Sequence, residues 1–378
     1  MEFLNRYRLT VGAQEDTQFK RDNGIRTDGT LATYRDTDGK LWAIAGHTNS
    51  GHIGMFCGTC IGDLAEVWPI ALNFGDGHAD YAFSGIRYPE GIKARGAIWP
   101  FGLYICPGTH RFFCFFHNET AWRGRGTGYD AFGYCQRPDF DSDFRHVGLM
   151  HSDDEGKSWV FDRWVLTAET VCFTEAFSPE GDGKRGQPMG SISFGSGDFS
   201  IFVEPDGEYI YLFYNIIKAD TNERRWTDCD IYVARTRKRS DGVMGDFVKY
   251  DRGAFGEAGN LGKESPIVLG GWHPRVVYLE KHGKYLMSCS MARPKPDGGM
   301  VHHVMEVRES DDLIHWSAPV RLSRDGEPFG GHYVGIYSDA KEGQTFVLTE
   351  EGGVVLSCIK NGSDITKYHL ALTRSSAE

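Results

Sequence analysis

HVGLMHSDDEGKSW, residues 146–159, is the stretch that decides the fold. An apolar run leads into Ser152-Asp153-Asp154, a short turn follows, and Trp159 opens a second apolar run. Serine and aspartate side chains accept hydrogen bonds from backbone N–H groups two residues on, so this is a turn that carries its own acceptors. A near copy, VMEVRESDDLIHW, occupies residues 304–316. In both, the tryptophan is expected to anchor its hairpin against a neighbouring sheet. Two distant copies of one device imply a repeated four-stranded unit, and radial repetition of such sheets gives a β-propeller.

The remaining sequence reads the same way. Helical periodicity is nearly absent, and short apolar runs alternate with turn signals. Unit one reads DGTLATYRD, KLWAIAGHT, HIGMFCGT and AEVWPIAL. Unit two reads PFGLYIC, RFFCFFHNET, HVGLMHS and SWVFDRWVL. Unit three reads DFSIFVE, YIYLFYN, DIYVART and DFVKY. Unit four reads HPRVVYLE, YLMSCSM, HHVMEVRES and WSAPVRL, and unit five HYVGIYSD, TFVLTEE, VVLSCIK and KYHLALTR. The expected fold is therefore all-β: a five-bladed β-propeller with four-stranded antiparallel blades near 28–72, 100–166, 198–250, 273–322 and 332–374. No composition shift marks a boundary, so 1–378 is expected to be one domain. The 24 Phe, 17 Tyr, 9 Trp and 48 Gly suit short strands joined by tight turns.

A formal net charge of −11 argues against a nucleic-acid or anionic-membrane surface. No apolar run approaches the roughly 20 residues of a membrane span. The opening MEFLNRYRLT is no secretory signal, so the protein is expected to be cytoplasmic, or secreted or periplasmic with a leader absent from this sequence. The nine cysteines include one Cys57-x-x-Cys60 pair without a second to complete a metal finger, and they read as reduced residues. Oligomeric state leaves no trace in the sequence.

In a propeller, the starts of first strands and the ends of second strands share one face. That rule collects Asp28, Asp198, His273, Arg275, His332 and Tyr333 from strand starts. It collects His47, Asn49, His117, Asn118, Glu119, Tyr214, Asn215, Glu350 and Glu351 from strand ends. Segments 121–145, 216–229 and 291–300 are expected as loops walling the same mouth, bringing Trp122 and Trp226 with several arginines. Segment 168–195 is expected to cover it. A wet axial channel would also favour polar strand ends.

Cleaving a glycosidic bond needs two carboxyl groups across the bond, one protonated and one ionised. Asp28, Asp198, Glu264 and Glu119 are the candidates: Asp28 as base or nucleophile, Glu264 or Glu119 as acid, and Asp198 as the neighbour that raises the acid's pKa. His47, Asn49, His117, Asn215, His273, Arg275 and Tyr333 are candidate partners for hydroxyls, and Trp122 and Trp226 for the apolar faces of sugars. His47, His117, His273 and His332 converge from four units, and imidazoles with a carboxylate are common ligands of divalent metals. His151, His302, His303 and His315 are assigned to outer strands with a structural role.

The chain resembles the five-bladed β-propeller glycoside hydrolases, the group containing arabinanases, fructosidases and furanosidases. The resemblance is carried by TDGT around Asp28, GDFS around Asp198, and SDDLIHW from Ser310, which is similar to the S-x-D-L-x-x-W turn of that group. GGHYVGIYSD is similar to a final-blade segment whose histidine faces a central calcium or water cluster, which makes His332 a candidate metal ligand. SDDEGKSW resembles the Asp-box of sialidases and of a D-arabinan-cleaving propeller family. The departures are specific. Asp28 is followed by Gly-Thr rather than Asp-Pro, no Arg-Asp-Pro marks unit two, the Glu-Cys acid motif is missing, and so is the sialidase Arg-Ile-Pro start.

The resemblance implies a hydrolase acting on a carbohydrate, with no required cofactor and with the axial channel as the place for calcium or another divalent metal. Two alternatives keep the fold: a metal-dependent amino-sugar deacetylase, and a non-catalytic glycan-binding propeller.

Overall fold

The structure, a computed structural model, describes residues 3–47, 52–72, 86–87, 97–119, 145–167, 191–220, 225–294, 300–349, 353–359 and 364–374. Alternation of apolar and polar residues with turn signals between them produces strands throughout. Unit one pairs Ala32–Arg35, Leu41–Gly46, His52–Gly58 and Ala65–Leu72 in that order. Unit two runs Ala97–Ile105, Phe112–Glu119, Arg145–Ser152 and Trp159–Leu166. Unit three runs Ser191–Val203, Tyr209–Asp220, Arg225–Arg237 and Val248–Asp251, with Ala254–Ala258 beyond it. Unit four runs Trp272–Leu279, Lys284–Pro294, Met300–Ser310 and Val320–Arg321.

Unit five departs from expectation. TFVLTEE is not its second strand. Among its described residues only Val347–Leu348 is extended, and it pairs in parallel with Tyr278 and Leu279 of unit four. Phe346 is buried against Tyr34 and Phe202, so this apolar run is spent on sealing neighbouring units. The second strand is Gly353–Ile359, the third is Asp364–Arg374, and the fourth is Tyr7–Asp16 from the other end of the sequence. Glu350 and Glu351, expected at the end of the second strand, lie outside the described residues.

The segments expected as loops at 216–229 and 291–300 are largely strand. Tyr209–Asp220 and Arg225–Arg237 pair out to Asp220 and Arg225, and Lys284–Pro294 pairs with Met300–Ser310 out to Pro294 and Met300. The unit-four hairpin projects past its first strand, which stops at Trp272 opposite Ser290, whereas in unit three the first strand pairs alongside out to Ser191 and Asp220. Residues 120–144 and 168–190 lie outside the described residues.

The first strands of the units lie side by side in chain order, from Ala32–Arg35 to Ala97–Ile105, Ser191–Val203, Trp272–Leu279 and His332–Ser338. The Arg35 side chain then donates to the carbonyls of Gly39, Gly343 and Ala340, and the Arg35 amide to Gln344, which ties unit five back to unit one. Sheets arranged around shared first strands make the molecule a β-propeller. Among the described residues no helix is long and apolar enough to cross a membrane.

Both Ser-Asp-Asp turns work as read. Ser152 Oγ accepts from the Gly156 amide at 2.8 Å, and Asp154 accepts from the Ser158 amide at 2.8 Å. Ser310 Oγ accepts from Leu313 at 3.0 Å, and Asp312 from Ile314 and His315 at 3.0 and 2.8 Å. Each turn needs a left-handed residue, supplied by Glu155 and Gly156 in the first and Leu313 in the second. Trp159 is fully buried, and its indole N–H donates to the Gly156 carbonyl at 2.9 Å.

Candidate functional site

The site is built from one irregularity repeated around the ring. The first strands of units two to five each slip register: between Pro100 and Gly102, Gly197 and Ser200, Trp272 and Arg275, and His332 and Gly335; in unit three the strand begins at Ser191, so Asp198, expected at its start, lies mid-strand. A bulge of this kind re-aims one side chain and sharpens the local twist. The residues inside the slips are Phe101, Asp198 with Phe199, His273 with Pro274, and Tyr333 with Val334. Asp198, His273 and Tyr333 adopt φ of 45°, 54° and 50°. Positive φ in non-glycine residues costs about 1–2 kcal/mol each and gathers where function holds it in place.

These residues meet. The Tyr333 hydroxyl donates to Asp198 Oδ1 at 2.9 Å, and the Tyr333 ring lies 3.9 Å, centroid to centroid, from His273. Phe101 packs on Tyr333, His117 and Phe199. Unit one joins through Asp28, whose Oδ1 is 3.9 Å from His332 Nδ1, and through Thr30, whose hydroxyl donates to the Phe199 carbonyl at 3.2 Å. A chain of contacts therefore runs from Asp28 through His332 and Tyr333 to Asp198. Asp28 is the open end of that chain, with 44% of its side chain exposed, and Asp198 the buried end.

Burial alone would raise the pKa of Asp198. The fields of His117, His273 and Arg145 and the Tyr333 hydrogen bond outweigh it and hold the carboxyl at about 2. Asp198 is thus a fixed anion at neutral pH. Its own amide donates to His117 Nδ1 at 3.0 Å, which places the His117 ring proton on Nε2.

The other sequence candidates fall in three groups. His47 is buried and stacks on Trp99 at 5.4 Å, and burial, with a smaller push from Arg26, lowers it to about 3. Asn215 holds the site together from behind: its Oδ1 accepts from the His273 amide at 2.7 Å, and its Nδ2 donates to the Gly271 and Asp230 carbonyls. Arg275 lies buried with its guanidinium 4.1 Å from the Tyr337 ring centroid, between units four and five. Glu264 is held by side chains of unit three. It accepts from the Tyr214 hydroxyl and pairs at 2.9 Å with Lys249, which also donates to the carbonyls of Thr167 and Gly262.

Glu119 ends the second strand of unit two, in register with Ala97 and Arg145. Trp226 lies opposite Ala219 in the hairpin of unit three. Their side chains, and Asn49 and Trp122 entirely, lie outside the described residues.

Several solved structures are similar in backbone. The chain resembles β-propeller glycoside hydrolases. A family 117 glycoside hydrolase from Zobellia galactanivorans aligns with a TM-score of 0.48 at 10% identity, over 97% of this chain and 90% of that one. An exo-β-1,3-galactanase from Phanerochaete chrysosporium, bound to β-1,3-galactotriose, gives 0.48 at 10% identity over 98% and 67%. A thermostable family-43 glycoside hydrolase gives 0.44 at 12% identity over 94% and 91%. No protein-family model and no curated protein matches the sequence.

Three residues of the site escaped the sequence reading. His302 was expected in an outer strand with a structural role; instead its ring lies 4.8 Å from that of His273 and 4.5 Å from that of His332. The projecting hairpin of unit four carries it there, opposite Ala292. Ser290 bonds to both His302 and His273, and Arg145, buried at the start of a third strand, acts on Asp198. The apolar alternation of YLMSCSM continuing into Ala292 was the one available signal that this hairpin runs on.

Proposed function

We propose that this protein is a glycoside hydrolase whose substrate enters at the Asp28 end of the mouth. The observation that carries the reading is the contact chain from Asp28 to Asp198: two carboxylates from opposite parts of the ring, one exposed and one held ionised. Oxocarbenium-like transition states carry positive charge, and a fixed anion with an accessible carboxylate stabilises it and supplies a base or nucleophile. His117, with its proton on Nε2, is a donor for a hydroxyl.

For the acid, Glu264 is already engaged by the Lys249 ammonium and the Tyr214 hydroxyl. Glu119, at a second-strand end on the mouth side, takes that role in this reading.

The test is a panel of α- and β-linked aryl glycosides, β-galactosides among them, with reducing-end assays on oligosaccharides. Asp28→Asn is expected to abolish turnover with an unchanged melting curve. Glu119→Gln is expected to lose about 10²–10⁴-fold in kcat on natural leaving groups and to recover on activated aryl substrates. Glu264→Gln is expected to change stability more than kcat. Full activity in Asp28→Asn removes the carboxylate mechanism, and oligosaccharide binding without product favours a binding propeller.

A further inference from the structure

We propose that the imidazoles of His273, His302 and His332 form a binding site for a zinc-class divalent ion at the mouth of the ring, beside Asp28. The ligand atoms of these three residues all lie within 4.8 Å of one another. Zinc–nitrogen bonds of about 2.0–2.1 Å in tetrahedral geometry set neighbouring nitrogens about 3.3 Å apart. The cluster therefore needs a contraction of at most about 1.5 Å, available to the half-buried rings of His302 and His332 by rotation. His273 is the fixed member: buried, its backbone held by Asn215 and its ring lying against Tyr333.

The hydrogen bonds around Ser290 set the tautomers. Ser290 Oγ can donate to the Trp272 carbonyl at 3.4 Å, which leaves its lone pairs for His302 Nδ1 at 2.9 Å and His273 Nδ1 at 3.3 Å. Both rings then carry their proton on Nδ1, which leaves Nε2 as the unprotonated nitrogen that can coordinate an ion. One hydroxyl orienting two ligands is the outer-shell support that metal-bound histidines require.

His332 Nδ1 faces Asp28 just beyond hydrogen-bond reach, at 3.9 Å, the arrangement of a carboxylate behind a metal-bound imidazole. Three nitrogen donors select zinc, cobalt or nickel over calcium, which takes oxygen ligands. The proposal stands on this cluster alone and does not depend on glycoside hydrolysis.

The test reads metal directly. Untagged protein, dialysed against a chelator, is titrated with Co²⁺ by visible absorption and with Zn²⁺ by calorimetry. The expected result is a single ion per chain with a tetrahedral cobalt spectrum and no thiolate charge-transfer band. His302→Ala is expected to weaken binding by more than about 100-fold, and Ser290→Ala by about 10–100-fold. His303→Ala, on the exposed neighbour, and Cys57→Ser, in the only Cys-x-x-Cys pair, are expected to bind as the parent does. Melting in chelator shows whether each variant folds; should His302→Ala unfold, His332→Gln gives the same reading. Absence of stoichiometric uptake, uptake that survives in a folded His302→Ala or His332→Gln, or loss of uptake in Cys57→Ser overturns the site.

Discussion

Asp198 holds two burdens at once, a left-handed backbone and a buried charge. Asparagine tolerates both the conformation and the Tyr333 hydrogen bond, whereas a β-branched side chain tolerates neither. Asp198→Asn is therefore expected to fold, and Asp198→Val to be less stable than Asp198→Asn by at least about 1–2 kcal/mol, measured by urea denaturation. Equal midpoints would show that the backbone there is unstrained. The sequence made Asp198 and His273 visible as polar residues at expected strand starts. Their positive φ was not visible, because it arises from the register slips that form only once a second strand pairs.

At the scale of elements, the N-terminal strand deserves the sharpest test. Phe3, Leu4, Leu9 and Val11 are buried, and Tyr7–Asp16 covers the outer edge of Asp364–Arg374. Each such side chain contributes about 1.5–3 kcal/mol, so deleting residues 1–16 is expected to remove more than about 5 kcal/mol, the scale of a whole domain's stability. A synthetic peptide of residues 1–16 is expected to restore part of the loss by adding back the strand. A truncated chain that melts with the parent rejects the strand's role.

Glu309 is the lock beneath it, accepting from the backbone amides of Phe3 and Leu4. Glu309→Gln is expected to cost about 1–3 kcal/mol by the same measurement. The units with strong turn chemistry were legible in sequence, since Ser152-Asp153-Asp154 and Ser310-Asp311-Asp312 fix where hairpins end. Unit five was not, because Thr345–Leu348 has the same apolar character as a second strand. Only the distant partner Tyr7–Asp16 reveals that the sheet is complete without it. His302 was lost for a related reason: strand ends carry no punctuation where Ala292 and Arg293 continue the pairing.

The molecule as a whole should be sensitive to mild acid. Burial lowers His47 and His146 to about 3 each, with smaller pushes from Arg26 and His117 respectively. Their unfolded forms take up protons near pH 6.5 while the folded forms stay neutral, so stability is present above that pH and falls as pH drops toward 3. Each histidine contributes a slope of up to about 1.4 kcal/mol per pH unit in that window. Asp198 adds a second loss between about pH 4 and 2, as its lowered carboxyl is protonated. The melting temperature is expected to fall from pH 7 to 5, and less steeply in His146→Gln, provided that variant folds. A flat profile over that range removes the buried neutral histidines from the explanation.

Because Tyr7 pairs with Arg374, the ring is stitched shut by two strands that stand far apart along the chain. A nascent chain must keep the earlier strand waiting until the later one has been made, exposing an adhesive sheet margin all the while. A circular permutant that runs from Arg374 through a linker into residues 1–16, with new ends cut at 36–39, would let that seam form as a local hairpin, keep Phe3 and Leu4 in place, and fold with less loss to aggregation.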